Sequence, residues 1–218
     1  MRKLLNPDGP IYQFLARVFD LMWANILFIL CSVPLVTLGA AWAALNKVTQ
    51  DIVFEEDEGV TRRFFTAFKE NFKQSTIVWL LMVFFMVCMY GNGLLILSFF
   101  KGGTKTLLNG ILIFLIAIML SIAIYIFPLM VRYSNTLSQH FRNAVVLSVL
   151  KLPRTLVMLM LHTLPFWILY FSMSGFIQTL VFWLCFGLAF IAYMDNILLK
   201  STYEKLEEEP ENEEEEEN

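Results

Sequence analysis

The feature that most constrains this chain is a set of three long stretches almost empty of charge. Residues 76–100 and 107–130 contain no Asp, Glu, Lys or Arg, and residues 176–199 contain only Asp195. At about 1.5 Å per residue, each is long enough as a helix to cross a hydrocarbon core of about 30 Å. Backbone N–H and C=O groups cannot stay unpaired in lipid, and these runs lack the two-residue alternation of barrel strands, so they must be helical. A chain of 218 residues that is 58% hydrophobic and 16% charged is too apolar for a soluble domain. The expectation is an all-α fold: a polytopic transmembrane bundle of six helices in one domain over residues 1–206, then a disordered Glu-rich cytoplasmic tail over residues 207–218.

The stretch over residues 10–54 decides the helix count and the side on which the chain starts. Asn6-Pro7-Asp8-Gly9-Pro10 reads as a turn that opens a helix, with Asp8 or Gly9 as cap and Pro10 at the first helical position. No breaker follows until Ser32-Val33-Pro34. Either one helix from Leu21 to about Leu45 kinks at Pro34, giving five spans, or a helix from Pro10 to Cys31 turns and returns through Leu35 to Phe54 as a hairpin, giving six. The excess of Lys and Arg on the cytoplasmic side separates the two. Five spans put 11 basic residues inside and 5 outside; six put 12 inside, leave Lys101 and Lys105 outside, and hold Arg17 and Lys47 within the hairpin. The hairpin gives the cleaner split and places both chain ends on the cytoplasmic side of a bacterial cell membrane. Cleavage at Ala41-Trp42-Ala43 is not expected, because the apolar region ahead of it follows residues that include Asp8, Arg17 and Asp20.

In an antiparallel hairpin centred between Val33 and Pro34, Asp20 comes level with Lys47, and Arg17 with Gln50 and Asp51. They lie about 5–15 Å from their helix ends, Arg17 and Lys47 about 10 Å, where an ionisable group needs a partner or an outward-reaching stem. Two intramembrane charge pairs are expected, Asp20 with Lys47 and Arg17 with Asp51.

Beyond the acidic turn at residues 55–59, Thr61 can cap a helix on which Phe64, Phe65, Phe68 and Phe72 share one face. Arg62, Thr66, Lys69 and Lys73 share another. This predicts an interfacial elbow ahead of the span that begins at Thr76, its basic side turned to anionic lipid or to a partner protein. A second short helix, Ser138–Leu150, precedes a span opened by Pro153. Phe64 and Ala67 recur as Phe141 and Ala144, too slight a match to indicate duplication. Lys101–Lys105 and Ser172–Gly175 form the outer turns. Nine of the 19 acidic residues lie between Glu207 and Glu217, so residues 1–206 carry a net charge of +6. Such a run repels itself and is expected to be disordered; the alternative is that it folds back on the basic elbows, a contact that high salt would abolish.

Little in the chain suggests chemistry. Cys31, Cys88 and Cys185 lack a CxxC spacing, His140 and His162 are scattered, and no phosphate-binding, dinucleotide or zinc-hydrolase motif occurs. No enzyme activity, cofactor, metal or nucleic-acid partner is expected. Counted from the span ends, His162 lies near mid-membrane and Asp195 near the inner end, so the two are not expected to form an acid–base pair. Asn25, Asp20, Lys47, Asn92, His162 and Asp195 are candidates to line a solute path. The coupling loop of an importer permease is not evident, since Leu152-Pro153 stands alone.

Three blocks, Asn6-Pro7-Asp8-Gly9-Pro10-Ile11-Tyr12, Cys31-Ser32-Val33-Pro34-Leu35-Val36-Thr37-Leu38-Gly39-Ala40 and Phe64-Phe65-Thr66-Ala67-Phe68-Lys69-Glu70-Asn71-Phe72-Lys73-Gln74, resemble the YesL-like family of bacterial multi-pass membrane proteins. The resemblance extends over roughly residues 4 to 205 and leaves out the tail. It implies a membrane protein without established activity or catalytic residues. Because members are often encoded beside sugar-importer and carbohydrate-utilisation genes, it also implies an association with sugar uptake. The expectation is a non-enzymatic accessory or regulatory partner of a carbohydrate uptake system, solvated by the lipid bilayer and in contact with a sugar transporter or another membrane protein. The alternative is a transporter or permease-like subunit moving a small solute.

Overall fold

The computed structural model describes residues 9–56 and 59–216. Its elements are α1 (Pro10–Ser32), a 3-10 turn (Leu35–Thr37), α2 (Leu38–Phe54), α3 (Val60–Phe99), α4 (Gly102–Arg132), α5 (Leu137–Leu150), α6 (Leu152–Phe171), α7 (Met173–Phe182), one π turn (Trp183–Gly187) and α8 (Leu188–Glu216). The fold is all-α, with no strand among the described residues. Among the described residues, five helical stretches are long and apolar enough to cross a membrane: Ile11–Ser32, Val60–Phe99, Gly102–Arg132, Leu152–Phe171 and Met173–Glu207.

Residues 10–54 form the hairpin. Gly9 is the cap and Pro10 opens α1, where its missing N–H costs nothing. Pro34 adopts an extended conformation, and the Thr37 hydroxyl closes the turn by donating to the carbonyls of Cys31 and Pro34. At the other end Arg17 of α1 meets Glu55, just past α2, at 2.6 Å, so the two helices run antiparallel.

The returning helix is shorter and deeper than a sixth span would be. α2 has 17 residues, at the lower end of what can cross a bilayer, and it is the axis of the bundle, touching α1, α3, α4 and α8. Ala40, Ala41, Ala43 and Ala44 are fully buried, and their small side chains let neighbouring helices close in. Gly39 marks the tightest approach, since a Cβ there would sit 2.5 Å from the Ser75 carbonyl oxygen of α3. Beside it Trp79 donates its indole N–H to the Leu35 carbonyl at 2.9 Å. These contacts fix the hairpin tip at Ser75–Trp79, so some twenty residues of α3, about 30 Å, extend past it. The tip of the hairpin therefore stops short of the level at which α3 turns into α4, at Phe100–Lys101.

The elbow before the second span is also absent as a separate element. α3 is one 40-residue helix that carries the amphipathic segment straight into the apolar run. The second short helix does form, as α5, with a capping box in which Thr136 and Gln139 bond reciprocally. Pro153 lies in the first turn of α6, and Ser172 caps α7 by accepting the Gly175 N–H at 3.0 Å. α8 continues through the Glu-rich segment to Glu216, where the charge run predicts disorder from residue 207 onward.

Candidate functional site within the bundle

The site is built on α8, and it begins with a break in helical regularity. Between Trp183 and Gly187 the chain makes a π turn, which leaves backbone groups without their usual helical partners. Asn25, fully buried on α1, supplies them. Its Nδ2 donates to the carbonyls of Leu184 (2.7 Å) and Trp183 (3.3 Å), and its Oδ1 accepts the Ala189 N–H at 2.8 Å. The extra residue of a π turn rotates the rest of α8 by about 100° relative to an unbroken α-helix. That rotation sets the faces on which Asp195 and Asn196 stand.

Asn196 turns to α2. Its Nδ2 donates to Thr49 Oγ1 at 2.9 Å and to the Ala192 carbonyl at 2.8 Å, with Asn46 Oδ1 at 3.4 Å. Gln50, on the same stretch of α2, donates to the Pro128 carbonyl of α4 at 2.8 Å. Asn46, Thr49 and Gln50 thus tie the central helix to α8 and α4. The residue pattern alone did not single them out, although three polar residues at helical spacing, with Asp195-Asn196 in another apolar run, were the available signal.

Asp195 turns the other way, to α6, and here the structure overturns the depth count. His162 Nε2 stands 3.5 Å from Asp195 Oδ2, at the outer edge of hydrogen-bonding distance. His162 Nδ1 lies 3.0 Å from the Met158 carbonyl, which can only accept, so Nδ1 carries a proton. In a neutral imidazole Nε2 is then an acceptor, and contact with a carboxylate acceptor is repulsive unless a second proton lies between them. Asp195 is 2% exposed and its Oδ1 has no hydrogen-bond partner among the described residues. A bare carboxylate held there would cost several kcal/mol. The stable form of the pair is therefore proton-loaded, as carboxylic acid with imidazole or as carboxylate with imidazolium.

His162 also lines a cavity of about 610 Å³ between α2, α3, α4 and α6, open on the outer face of α3 where Val87 and Tyr90 are exposed. Its walls are apolar and sulfur- and aromatic-rich: Trp42, Trp79, Met82, Met86, Tyr90 and Phe127 among them. The Trp42 ring meets His162 edge-on, centroids 5.9 Å apart.

The ion pairs other than His162–Asp195 gather at one end of the bundle. Asp51, which is buried, forms ion pairs with Lys47 at 2.9 Å and with Arg63 of α3 at 2.8 Å, while Arg17 pairs with Glu55. The structure therefore places Arg17 on Glu55, four residues beyond Asp51, and places Lys47 on Asp51 along its own helix. Asp20 lines a surface recess between α1 and α2 together with Arg17, Asp51 and Glu55. Arg132, at the end of α4, makes a two-pronged bond to Glu207 at 2.8 and 2.9 Å and stacks 4.0 Å above the Phe54 ring. The first residue of the acidic tail is thus docked on a basic residue. Tyr133 donates to the same carboxylate, and burial together with that negative charge pushes its phenol up to about 12. On α3 the expected aromatic face divides: Phe64 is buried in the bundle and Phe68 partly so, whereas Phe65 and Phe72 stay exposed with Arg62, Lys69 and Lys73.

A family model described as "Protein of unknown function, DUF624" matches residues 21–93, from mid-α1 through α2 into the last third of α3. No curated protein matches the chain. No solved structure matches it either.

Proposed function

We propose that this chain is a non-enzymatic accessory or regulatory protein of a bacterial cytoplasmic membrane that acts by contact with another membrane protein, with both ends on the cytoplasmic side. The observation that carries this reading is the filled axis. Along α2, where a solute path between the helices would run, Ala40, Ala41, Ala43, Ala44, Asn46, Thr49 and Gln50 are all buried and the polar ones are bonded to their neighbours. A sugar needs a hydrogen-bonding partner for nearly every hydroxyl. The walls of the large cavity are almost entirely apolar, with His162, Tyr90 and the tryptophans as its few polar groups, which argues against the chain itself moving sugar. The link to carbohydrate uptake comes from the resemblance to the YesL-like family, with which the match over residues 21–93 is consistent.

The contact surface is the exposed stretch of α3 at the charged end, with Arg62, Lys69 and Lys73 beside the half-exposed rings of Phe65 and Phe72. His162 and Asp195 do not make an enzyme on this reading. Both imidazole nitrogens face partners, Nδ1 the Met158 carbonyl and Nε2 the Asp195 carboxyl.

A photo-crosslinking residue placed at Arg62, Lys69 or Lys73 in living cells tests the reading. A discrete protein adduct, absent when the probe stands at lipid-facing Phe84, supports it. Adducts indistinguishable from those at Phe84 remove its support, and sugar uptake by vesicles containing this chain alone would replace it with the transporter reading.

A further inference from the structure

We propose that the cavity against His162 is a binding site for a lipophilic organic cation, taken up in exchange for the proton held between His162 and Asp195. This goes beyond the accessory role and does not depend on it.

Charge complementarity selects the ligand. The pair accommodates one proton beyond the Nδ1 proton committed to the Met158 carbonyl. When that proton leaves, a negative charge remains on Asp195, whose Oδ1 has no partner among the described residues. The titratable groups near enough to feel it are Tyr125 of α4 and Tyr203 of α8. Tyr90 of α3 stands on the cavity wall, and the residues that α2 contributes there, Leu38, Gly39 and Trp42, do not titrate. Arg154 of α6 and Arg132 of α4 act on Tyr125 and Tyr203 respectively, but neither pairs with Asp195, whose ion-pair partner is His162. A monovalent cation entering the cavity restores neutrality, so the swap conserves charge: one proton leaves and one cation enters. The walls suit an apolar body around that charge. The faces of Trp42, Trp79, Tyr90 and Phe127 carry the negative side of their ring quadrupoles, and Met82 and Met86 are polarisable. The volume of about 610 Å³ lies in the range of small-molecule pockets. A neutral apolar molecule would fit the walls but leave Asp195 unanswered, and an anion would be repelled.

The test uses the purified full chain in detergent with tetraphenylphosphonium as cation and tetraphenylborate as the anion of the same shape. Tetraphenylphosphonium is expected to bind, with an affinity that rises about tenfold per pH unit while the pair is loaded. Its addition to weakly buffered protein is expected to release one proton per molecule bound. Asp195→Asn is expected to remove the pH dependence and the proton release. The release measurement on the unaltered protein stands even if that variant fails to fold. Equal binding of the two ions, no proton released, or an unchanged pH dependence in Asp195→Asn would each overturn the proposal, as would failure of tetraphenylphosphonium to bind.

Discussion

Replacing Asn25 by Leu, which branches in the same way but is larger, removes the side chain that satisfies the π turn without opening a cavity, and any overpacking at this fully buried position adds to the loss. Two good hydrogen bonds are lost, to the Leu184 carbonyl at 2.7 Å and from the Ala189 N–H at 2.8 Å, with a weaker one at 3.3 Å. A buried group left unpaired costs about 1–3 kcal/mol. Polar contacts between membrane helices average only about 0.6 kcal/mol, because the separated helices find other partners. Between these limits the loss comes to about 2 kcal/mol, read as a shift in the SDS or thermal unfolding midpoint of the purified protein. Asn25→Asp keeps an acceptor for the Ala189 N–H but presents a second acceptor to the Leu184 carbonyl, so it is expected to be destabilised at least as much. A change below about 0.5 kcal/mol for Asn25→Leu, the level of an ordinary surface substitution, would refute the clamp.

Three further outcomes concern other parts of the bundle. Gly39→Ala forces a methyl group against the Ser75 carbonyl and the Trp79 side chain, so it should cost about 1–3 kcal/mol in the same unfolding assay, whereas Gly110→Ala, with open space around it, should not. Glu207→Gln, which breaks a partly exposed pair, should cost at most about 1 kcal/mol and the loss should shrink in high salt; Arg132→Ala should cost more, because it also removes the packing on Phe54. His140, buried on α5, is held below its usual 6.5 by burial, so the unfolded chain binds its proton more readily. Its contribution is fully present above about pH 6.5 and declines as the pH falls below that value, and His140→Asn should flatten that part of the stability–pH curve.

The features legible in the sequence are those set by backbone chemistry. Pro10 and Pro153 open helices, Ser172 begins a turn, and Pro34 breaks the first apolar run into a hairpin, because proline and capping residues act within one turn of where they stand. The elbow failed because a change of pattern is not a break. Residues 74–76, Gln-Ser-Thr, contain neither proline nor glycine, and the Ser75 hydroxyl bonds back to the Asn71 carbonyl inside an intact helix. The depth of the hairpin failed for a different reason. Counting residues from a turn assumes that every hairpin rises through the whole membrane, while the tip is set by Gly39 seating on α3, a tertiary contact. The alanines of α2 were the missed clue, since small residues in a membrane helix mark close packing. The pairing of His162 with Asp195 was hidden by the π turn. The stretch Trp183-Leu184-Cys185-Phe186-Gly187 carries no local signature of one, and the rotation it introduces reassigns the faces of all the residues beyond it.

The most direct test of the account is the protonation of His162. The chain has two histidines, so in His140→Asn protein labelled with nitrogen-15 at histidine a single imidazole remains. The structure predicts a protonated, hydrogen-bonded Nδ1 at neutral pH, and an Nε2 signal that shifts when Asp195 becomes Asn and when Asn25 becomes Leu. An unprotonated Nδ1, or an Nε2 signal indifferent to Asp195, would contradict the assembly of α1, α6 and α8 around this pair.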